Sequence, residues 1–131
     1  MMPRADAKGW IVIAALSGAL AVVFGAFAAH GFDPATPAGL KSRELLETGS
    51  RYQALHALAM LAVTAFAGRL NARFATAALV LFVAGSLLFP GALYMLALGG
   101  PRWMGAVAPL GGSAFILGWL SFAFAAVRRS S

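Results

Sequence analysis

Residues 9–32 read GWIVIAALSGALAVVFGAFAAHGF, a run of 24 residues without Lys, Arg, Asp or Glu. Three further runs of this kind follow at residues 52–68, 74–101 and 103–127. An α-helix rises about 1.5 Å per residue, so roughly 20 residues cross a hydrocarbon core of about 30 Å. Because every charged residue lies outside these runs, the sequence predicts an all-α membrane protein with four transmembrane helices.

The composition favours a membrane location for the whole 131-residue chain. Hydrophobic residues make up 61% of it and charged residues 11%, against about half and about a quarter in soluble domains. So small a soluble domain has too little interior to bury that much apolar surface. We therefore predict one transmembrane domain over residues 1–131, folded as an up-down bundle.

The charge distribution indicates lipid rather than nucleic acid as the partner. The net charge is +6, but the basic residues stand singly or in pairs at the edges of the apolar runs. They form no basic helix face with interleaved aromatic residues, which nucleic-acid binders use. Contact with lipid headgroups explains them better. The chain has no cysteine, which excludes disulfides, thiol catalysis and thiolate metal sites.

The predicted helices span about residues 9–30, 37–68, 72–98 and 109–127. Thr36 followed by Pro37 is typical of a helix start. The threonine hydroxyl can cap the helix, and proline lacks only a backbone N–H that has no partner in the first turn. The second helix begins with a charged, amphipathic segment that is predicted to lie at the membrane interface. Its residues 48–50 (TGS) could instead divide it into two pieces.

Two side-chain patterns refine the helix predictions. Arg43, Glu47 and Arg51 stand at i, i+4 and i+8, so they can pair along one face of the second helix. Pro90 falls inside the third charge-free run, and proline removes a backbone donor and clashes with the preceding turn. We therefore predict a break in the third helix, after which the chain either continues at an angle or lies shallow at the interface. Pro109 is predicted to open the fourth helix.

Two stripes of small residues are candidates for close helix packing. Gly18 and Gly25 belong to a stripe on the first helix, and Gly111 and Gly118 belong to one on the fourth. Small side chains let helix backbones approach each other in lipid, where packing rather than hydrophobicity holds helices together.

The distribution of Lys and Arg predicts the orientation. The two termini and the turn at residues 69–73 hold six of these cations, and the other two loops hold four. The positive-inside rule then places both termini in the cytoplasm. The first helix could be mistaken for a secretory signal, but its apolar stretch of about 20 residues exceeds the usual 7–15. We therefore expect it to be retained.

The candidate site residues are five of the polar side chains within the charge-free runs: His30, Tyr52, Gln53, His56 and Tyr94. In an up-down bundle all five lie toward the side of the first and third loops, so we predict that they converge there. Interhelical hydrogen bonding is one interpretation, since polar groups in lipid need partners. A binding or proton-handling site is the other. Two histidines without a nearby carboxylate make an incomplete ligand set, so no metal or cofactor is predicted.

Four segments resemble motifs of the YgdD-like family, domain-of-unknown-function family 423, whose eukaryotic relatives are called transmembrane protein 256. They are residues 25–31 (GAFAAHG), 51–59 (RYQALHALA), 88–94 (LFPGALY) and 108–112 (APLGG) followed by Phe115, Gly118 and Trp119. The resemblance covers nearly the whole chain and implies a four-helix protein of the bacterial inner membrane. It implies no activity. Pro90 and Ala92 depart from the family pattern, which often has serines at these positions.

The sequence thus predicts a structural or binding module rather than an enzyme. Membrane lipid is the expected partner, together with a second copy of the chain or a larger membrane complex. The alternative is a small permease or proton-linked carrier acting as an oligomer, with Gln53, His56 and Tyr94 along its path. Carriers usually place their site at the bilayer midplane between broken helices, and no acidic residue stands within the four charge-free runs.

Overall fold

The structure, a computed structural model, describes residues 4–128 of the chain. Its helices are α1 (Arg4–His30), α2 (Pro37–Ala65), α3 (Ala72–Leu88), α4 (Pro90–Ala97) and α5 (Met104–Val127), with a 3₁₀ turn at Ala67–Arg69 between α2 and α3. The described residues contain no β-strand, so the predicted all-α class is confirmed. The remaining residues of the predicted domain, 1–3 and 129–131, lie outside the described part.

Within residues 4–128, three stretches of helix are long and apolar enough to cross a membrane. They are Ala7–His30, Ala72–Ala97 and Met104–Val127, of which the second runs through α3 and α4. The helix α2 is not one of these stretches, and its first half carries five charged residues: Lys41, Arg43, Glu44, Glu47 and Arg51.

The start of α2 forms as the sequence predicts. The Thr36 hydroxyl accepts a hydrogen bond from the Gly39 backbone N–H at 3.0 Å, and Pro37 is the first helical residue. Arg43 Nε donates to Glu47 Oε1 at 3.0 Å, which confirms the first of the two pairs predicted among Arg43, Glu47 and Arg51. The helix continues through Gly49 to Ala65, so the alternative in which residues 48–50 divide it is wrong.

Several helix ends differ from their predicted positions. The helix α1 begins at Arg4 rather than near residue 9, because a helix can extend beyond the apolar run that reveals it. The helix α2 ends at Ala65 rather than near residue 68. A 3₁₀ turn, a tighter helix common at such ends, follows it and leads toward α3.

The fourth predicted helix also begins earlier than expected. The helix α5 starts at Met104, and Pro109 lies inside it rather than at its first turn. Proline withholds one donor from the preceding turn, but membrane helices tolerate this when neighbouring groups compensate. The first turn of α5 forms through short-range bonds, such as that from the Ala106 N–H to the Trp103 carbonyl at 2.9 Å.

The boundary between α3 and α4 lies at Phe89. The Phe89 N–H still donates to the Gly85 carbonyl at 2.8 Å, and α4 then begins at Pro90. Because proline has no N–H, the Ser86 carbonyl loses its normal helical partner. The short helix α4 is not a surface segment, since it packs against α2 and α5.

The helices pack as two close pairs joined through α2 and α4. The helix α1 packs along α2, and α3 packs along α5. The main buried cluster joins the pairs, with Met60 and Val63 of α2 against Leu79 and Phe82 of α3. The helix α2 also contacts α4, and its His56 contacts Phe115 and Trp119 of α5, so α2 touches each of the other four α-helices described and lies at the centre of the fold.

Of the four predicted packing glycines, the two on α5 are required for close contact. A Cβ at Gly111 would overlap the backbone of Phe89 at the start of α4, and one at Gly118 would lie 2.6 Å from Phe82 Cε1. The two glycines on α1 are not required in this way, because a side chain would fit at both positions. A Cβ at Gly18 would lie 3.9 Å from that of Ala57, and one at Gly25 would lie 3.4 Å from Ser50 Oγ.

Substitution of two adjacent glycines tests this packing. We expect Gly111→Ala to lower the free energy of unfolding by about 1–3 kcal/mol, because backbone atoms of the facing helix cannot yield easily. Gly112→Ala is the matched control, since a Cβ there meets nothing within 4 Å. The control should be neutral or mildly stabilising through better helix propensity. Thermal unfolding of both variants in one detergent measures the difference, and equal midpoints would contradict the packing.

Candidate functional site

Gln53 joins three helices through the two ends of its side-chain amide. It lies on α2 and is 7% exposed. Its Nε2 donates to Ser17 Oγ on α1 at 3.2 Å, and its Oε1 accepts a hydrogen bond from the Tyr94 hydroxyl on α4 at 2.7 Å. A buried amide without partners is costly. These bonds therefore fix how α1, α2 and α4 lie together.

The sequence brings Tyr94 to Gln53 by two local features. Pro90 starts the separate helix α4, which carries the tyrosine toward α2. Gly49 on α2 leaves room for its ring, because a Cβ there would come within 3.3 Å of Tyr94 Cε1, Cδ1 and Cζ. On its other side the ring stacks on Phe24 of α1, with 3.9 Å between ring centroids.

His56 is bound at both ring nitrogens. Its side chain is 2% exposed. Nδ1 lies 2.7 Å from the Tyr52 carbonyl oxygen, and Nε2 lies 3.0 Å from Trp119 Nε1. A carbonyl only accepts and an indole N–H only donates. His56 is therefore a neutral imidazole with its proton on Nδ1, donating to Tyr52 and accepting from Trp119.

Aromatic rings enclose His56 between α2, α3 and α5. The Phe115 ring stacks on the imidazole with 3.5 Å between centroids, and Phe82 lies at 5.4 Å. Phe115 reaches this position because Gly85 on α3 has no side chain, and a Cβ there would overlap the phenylalanine ring. The imidazole thus serves as a link between helices, with neither nitrogen free to bind a ligand.

The structure divides the predicted polar cluster instead of joining it. Gln53 and Tyr94 meet directly, and Tyr52 lies beside His56 with ring centroids 6.3 Å apart. Although Gln53 and His56 are three residues apart, Gln53 bonds to α1 and α4 whereas His56 bonds to α5.

Among the described residues, no hydrogen bond or ring contact joins His30 to the other four predicted residues. His30 is the exposed last residue of α1. Gln53 binds Ser17, which lies thirteen residues earlier on the same helix, or about 20 Å along its axis. The prediction placed Gln53 near the loop side because it measured membrane depth from Arg51, the last charged residue of α2. The contacts of Gly18 with Ala57 and of Gly25 with Ser50 place the Gln53 backbone level with about residue 22 of α1, and its side chain reaches Ser17.

Two hydrogen-bond partners were missed in the sequence, Ser17 and Trp119. A serine in an alanine-rich helix carries little signal by itself, and a tryptophan near a helix end is typical of a membrane interface. Their roles depend on how the helices align, which the sequence of each helix does not fix. One feature of the sequence could have marked Trp119 as a candidate site residue, since it belongs to the segment that resembles the family motif.

Two clefts flank α2 on opposite sides of this arrangement. The first, of about 240 Å³, lies between α1, α2 and α3, and Ser17, Gln53 and Ser86 supply its polar lining. The second, of about 340 Å³, lies between α2 and α5 beside His56 and Trp119. Both clefts include side chains of the outer, exposed surface, such as Leu16 in the first and Ile116 in the second.

The first cleft contains an unusual polar atom. The Ser86 hydroxyl oxygen is buried and has no hydrogen-bond partner within the described part of the chain. Buried polar groups nearly always have a partner, so an exception calls for an explanation. The same described residues offer no group of three His, Cys, Asp or Glu side chains that could hold a metal ion.

The fold and these polar links define a small, all-helical integral membrane protein. The family model described as "Protein of unknown function (DUF423)" matches residues 24–112, and the chain belongs to this family. Residues 24–112 include Gln53, His56 and Tyr94, whereas Ser17 and Trp119 lie outside the matched range.

Similar proteins from several bacteria extend the match to nearly the full length. A UPF0382 membrane protein of Haemophilus influenzae is 38% identical over 93% of this chain and 96% of its own length. The UPF0382 membrane protein YwdK of Bacillus subtilis is 38% identical over 92% of this chain and 98% of its own length. The UPF0382 inner membrane protein YgdD of Escherichia coli K12 is 36% identical over 90% of this chain and 88% of its own length. No solved structure matches the chain.

Removing one hydroxyl tests the link through Gln53. We expect Tyr94→Phe to lower the free energy of unfolding by about 1 kcal/mol, since it leaves the amide oxygen of Gln53 without its donor. Tyr52→Phe is the control, because that hydroxyl is not used in any hydrogen bond between the described residues and the side chain is exposed. Denaturation in mixed micelles measures both. An effect of Tyr52→Phe as large as that of Tyr94→Phe would rule out the link.

Proposed function

We propose that the protein is a non-catalytic module of the bacterial inner membrane. It crosses the bilayer four times and binds lipid or lipid-soluble molecules along its sides. The observation that carries this proposal is the arrangement of its intramembrane polar groups. Those of Gln53 and His56 bond to neighbouring helices, while the two clefts open sideways toward the surface that lipid would cover.

The alignment of α1 and α2 supports a fourth crossing. A Cβ at Gly18 would lie 3.9 Å from Ala57, and one at Gly25 would lie 3.4 Å from Ser50. The residue numbers thus fall on α1 as they rise on α2, so the two helices are antiparallel neighbours. Continued along both helices, this alignment places residues 45–65 of α2 beside residues 10–30 of α1. If α1 spans the bilayer, this part of α2 spans it as well. Arg51 then lies near the loop end, where a long side chain can extend toward the headgroups.

Four crossings put both termini on one side of the membrane. The excess of Lys and Arg on that side supports a cytoplasmic location. The Escherichia coli relative is named an inner membrane protein, which supports the same membrane for this chain. A second copy or a larger membrane complex would contact the same lateral surfaces that lipid does.

Reporter fusions test this topology. A reporter that is active only in the cytoplasm should be active when fused after Ser131. The same reporter inserted in the first loop, at Ala35, should be inactive, and a periplasmic reporter should give the opposite pattern. If both positions report the same side, the chain crosses three times and α2 does not span.

The bonding of His56 gives the carrier alternative little support. A proton carrier needs a group that exchanges protons along a water-accessible path. Both nitrogens of His56 are already bound, one to a carbonyl and one to an indole N–H. The Gln53 and Tyr94 side chains do not ionise readily and are bound to each other.

Purified protein distinguishes the two functions. In liposomes under a pH gradient, we expect proton leak equal to that of protein-free liposomes. Delipidated protein should show a higher thermal midpoint when membrane lipid is added back, since a ligand of the folded state stabilises it. Proton flux that disappears in the His56→Gln variant would contradict the proposal and favour a carrier.

A further inference from the structure

The cleft between α1, α2 and α3 has apolar walls and a small polar area inside. Leu16 and Leu20 of α1 and Val83 and Leu87 of α3 belong to its walls. Leu16 is 62% exposed and Leu87 is 71% exposed, so the cleft is continuous with the outer surface of the helices. A molecule in the surrounding lipid can therefore enter from the side, without a path through water.

The polar area of this cleft has unused hydrogen-bond donors. Ser86 has no partner for its hydroxyl. Ser17 accepts a hydrogen bond from Gln53, and its own hydroxyl proton is not used in the side-chain bonds of the described residues. Gln53 uses one of its two amide protons for Ser17, and its oxygen is already taken by Tyr94. The hydroxyl and amide groups available here favour a ligand that accepts hydrogen bonds.

The depth of these donors restricts the source of such an acceptor. Ser17 lies about 12 Å along the helix axis from Gly9 and about 20 Å from His30. If α1 crosses the bilayer, Ser17 therefore lies in the central part of the hydrocarbon core, which is about 30 Å thick. The ester carbonyls of phospholipids lie at the edges of that core. A carbonyl on a wholly lipid-soluble molecule can reach its centre.

We propose that this cleft binds a lipid-soluble carbonyl compound of the quinone type, whose ring oxygen accepts hydrogen bonds from Ser86 and Gln53 and whose tail lies along α1 and α3. The proposal names the ligand class of the lateral binding surface and so rests on the proposed function. The Ser86 side chain has a single rotatable bond to its oxygen, and a rotamer change directs the hydroxyl toward a ligand. The unpartnered hydroxyl is then a group that acquires its partner on binding.

Binding to the full chain in dodecyl maltoside, which has no carbonyl, tests the proposal. Decylubiquinone should raise the thermal midpoint of the protein, and decylbenzene, which lacks oxygen, should not. Ser86→Ala should weaken decylubiquinone binding roughly threefold to tenfold, as expected for one lost hydrogen bond. Without ligand, Ser86→Ala should be as stable as the unchanged protein or more so, because it removes a buried hydroxyl that has no partner.

Ser113→Ala is the matched control. Its hydroxyl donates to the Pro109 carbonyl on the exposed side of α5, outside the cleft. This variant should bind decylubiquinone as the unchanged protein does. Equal affinity of the Ser86→Ala variant and the unchanged protein would overturn the proposal, and so would equal stabilisation by decylbenzene.

Phospholipids distinguish the two sources of a carbonyl. A diester phosphatidylglycerol that stabilises the protein through Ser86, while its diether analogue does not, would assign the cleft to lipid esters and overturn the quinone-type ligand. No response to either decylubiquinone or the diester lipid would overturn the site. Proton flux through liposomes is a separate measurement, so failure of this cleft can be distinguished from failure of the proposed function.

Discussion

The fold depends on one constraint, which is that a bilayer offers no water to polar groups within its core. In the proposed four-crossing topology, the helix α2 carries Gln53 and His56 into this environment, so each must bond to protein. Gln53 does so through α1 and α4, and His56 does so through its own helix and α5. Because the bonds run to different neighbours, α2 lies at the centre of the structure with the other helices around it.

The remaining features of the fold place these partners. Tyr94 reaches Gln53 because Pro90 ends the long helix and begins a short one, and because Gly49 leaves space for a ring. Phe115 reaches His56 through the space at Gly85. Proline thus interrupts a helix, and glycines leave room for aromatic rings, at the points where the helices make their polar contacts. The two clefts are what remains on either side of α2 once these contacts are made.

Much of the architecture could be predicted from the sequence, because its causes are local. The positions of charged residues indicate the apolar helices, and the capping of α2 by Thr36 follows from two adjacent residues. The site was predicted less well. The pairing of Gln53 with Ser17 depends on the alignment of α1 against α2, and that alignment is set by contacts along both helices. His30 was grouped with Gln53 for want of this information, whereas the Gln53 side chain bonds to Ser17, thirteen residues before His30 on α1.

The account therefore rests on the alignment of α1 with α2 within the membrane. The chain has no cysteine, so introduced pairs can be oxidised without interference. Gly18→Cys with Ala57→Cys should form a disulfide in native membranes, since a Cβ at Gly18 would lie 3.9 Å from that of Ala57, within the normal disulfide range. Gly18→Cys with Leu58→Cys should not, because Leu58 is 65% exposed and faces outward. Efficient cross-linking of the second pair, or none of the first, would contradict the central position of α2 and the depth assigned to Gln53.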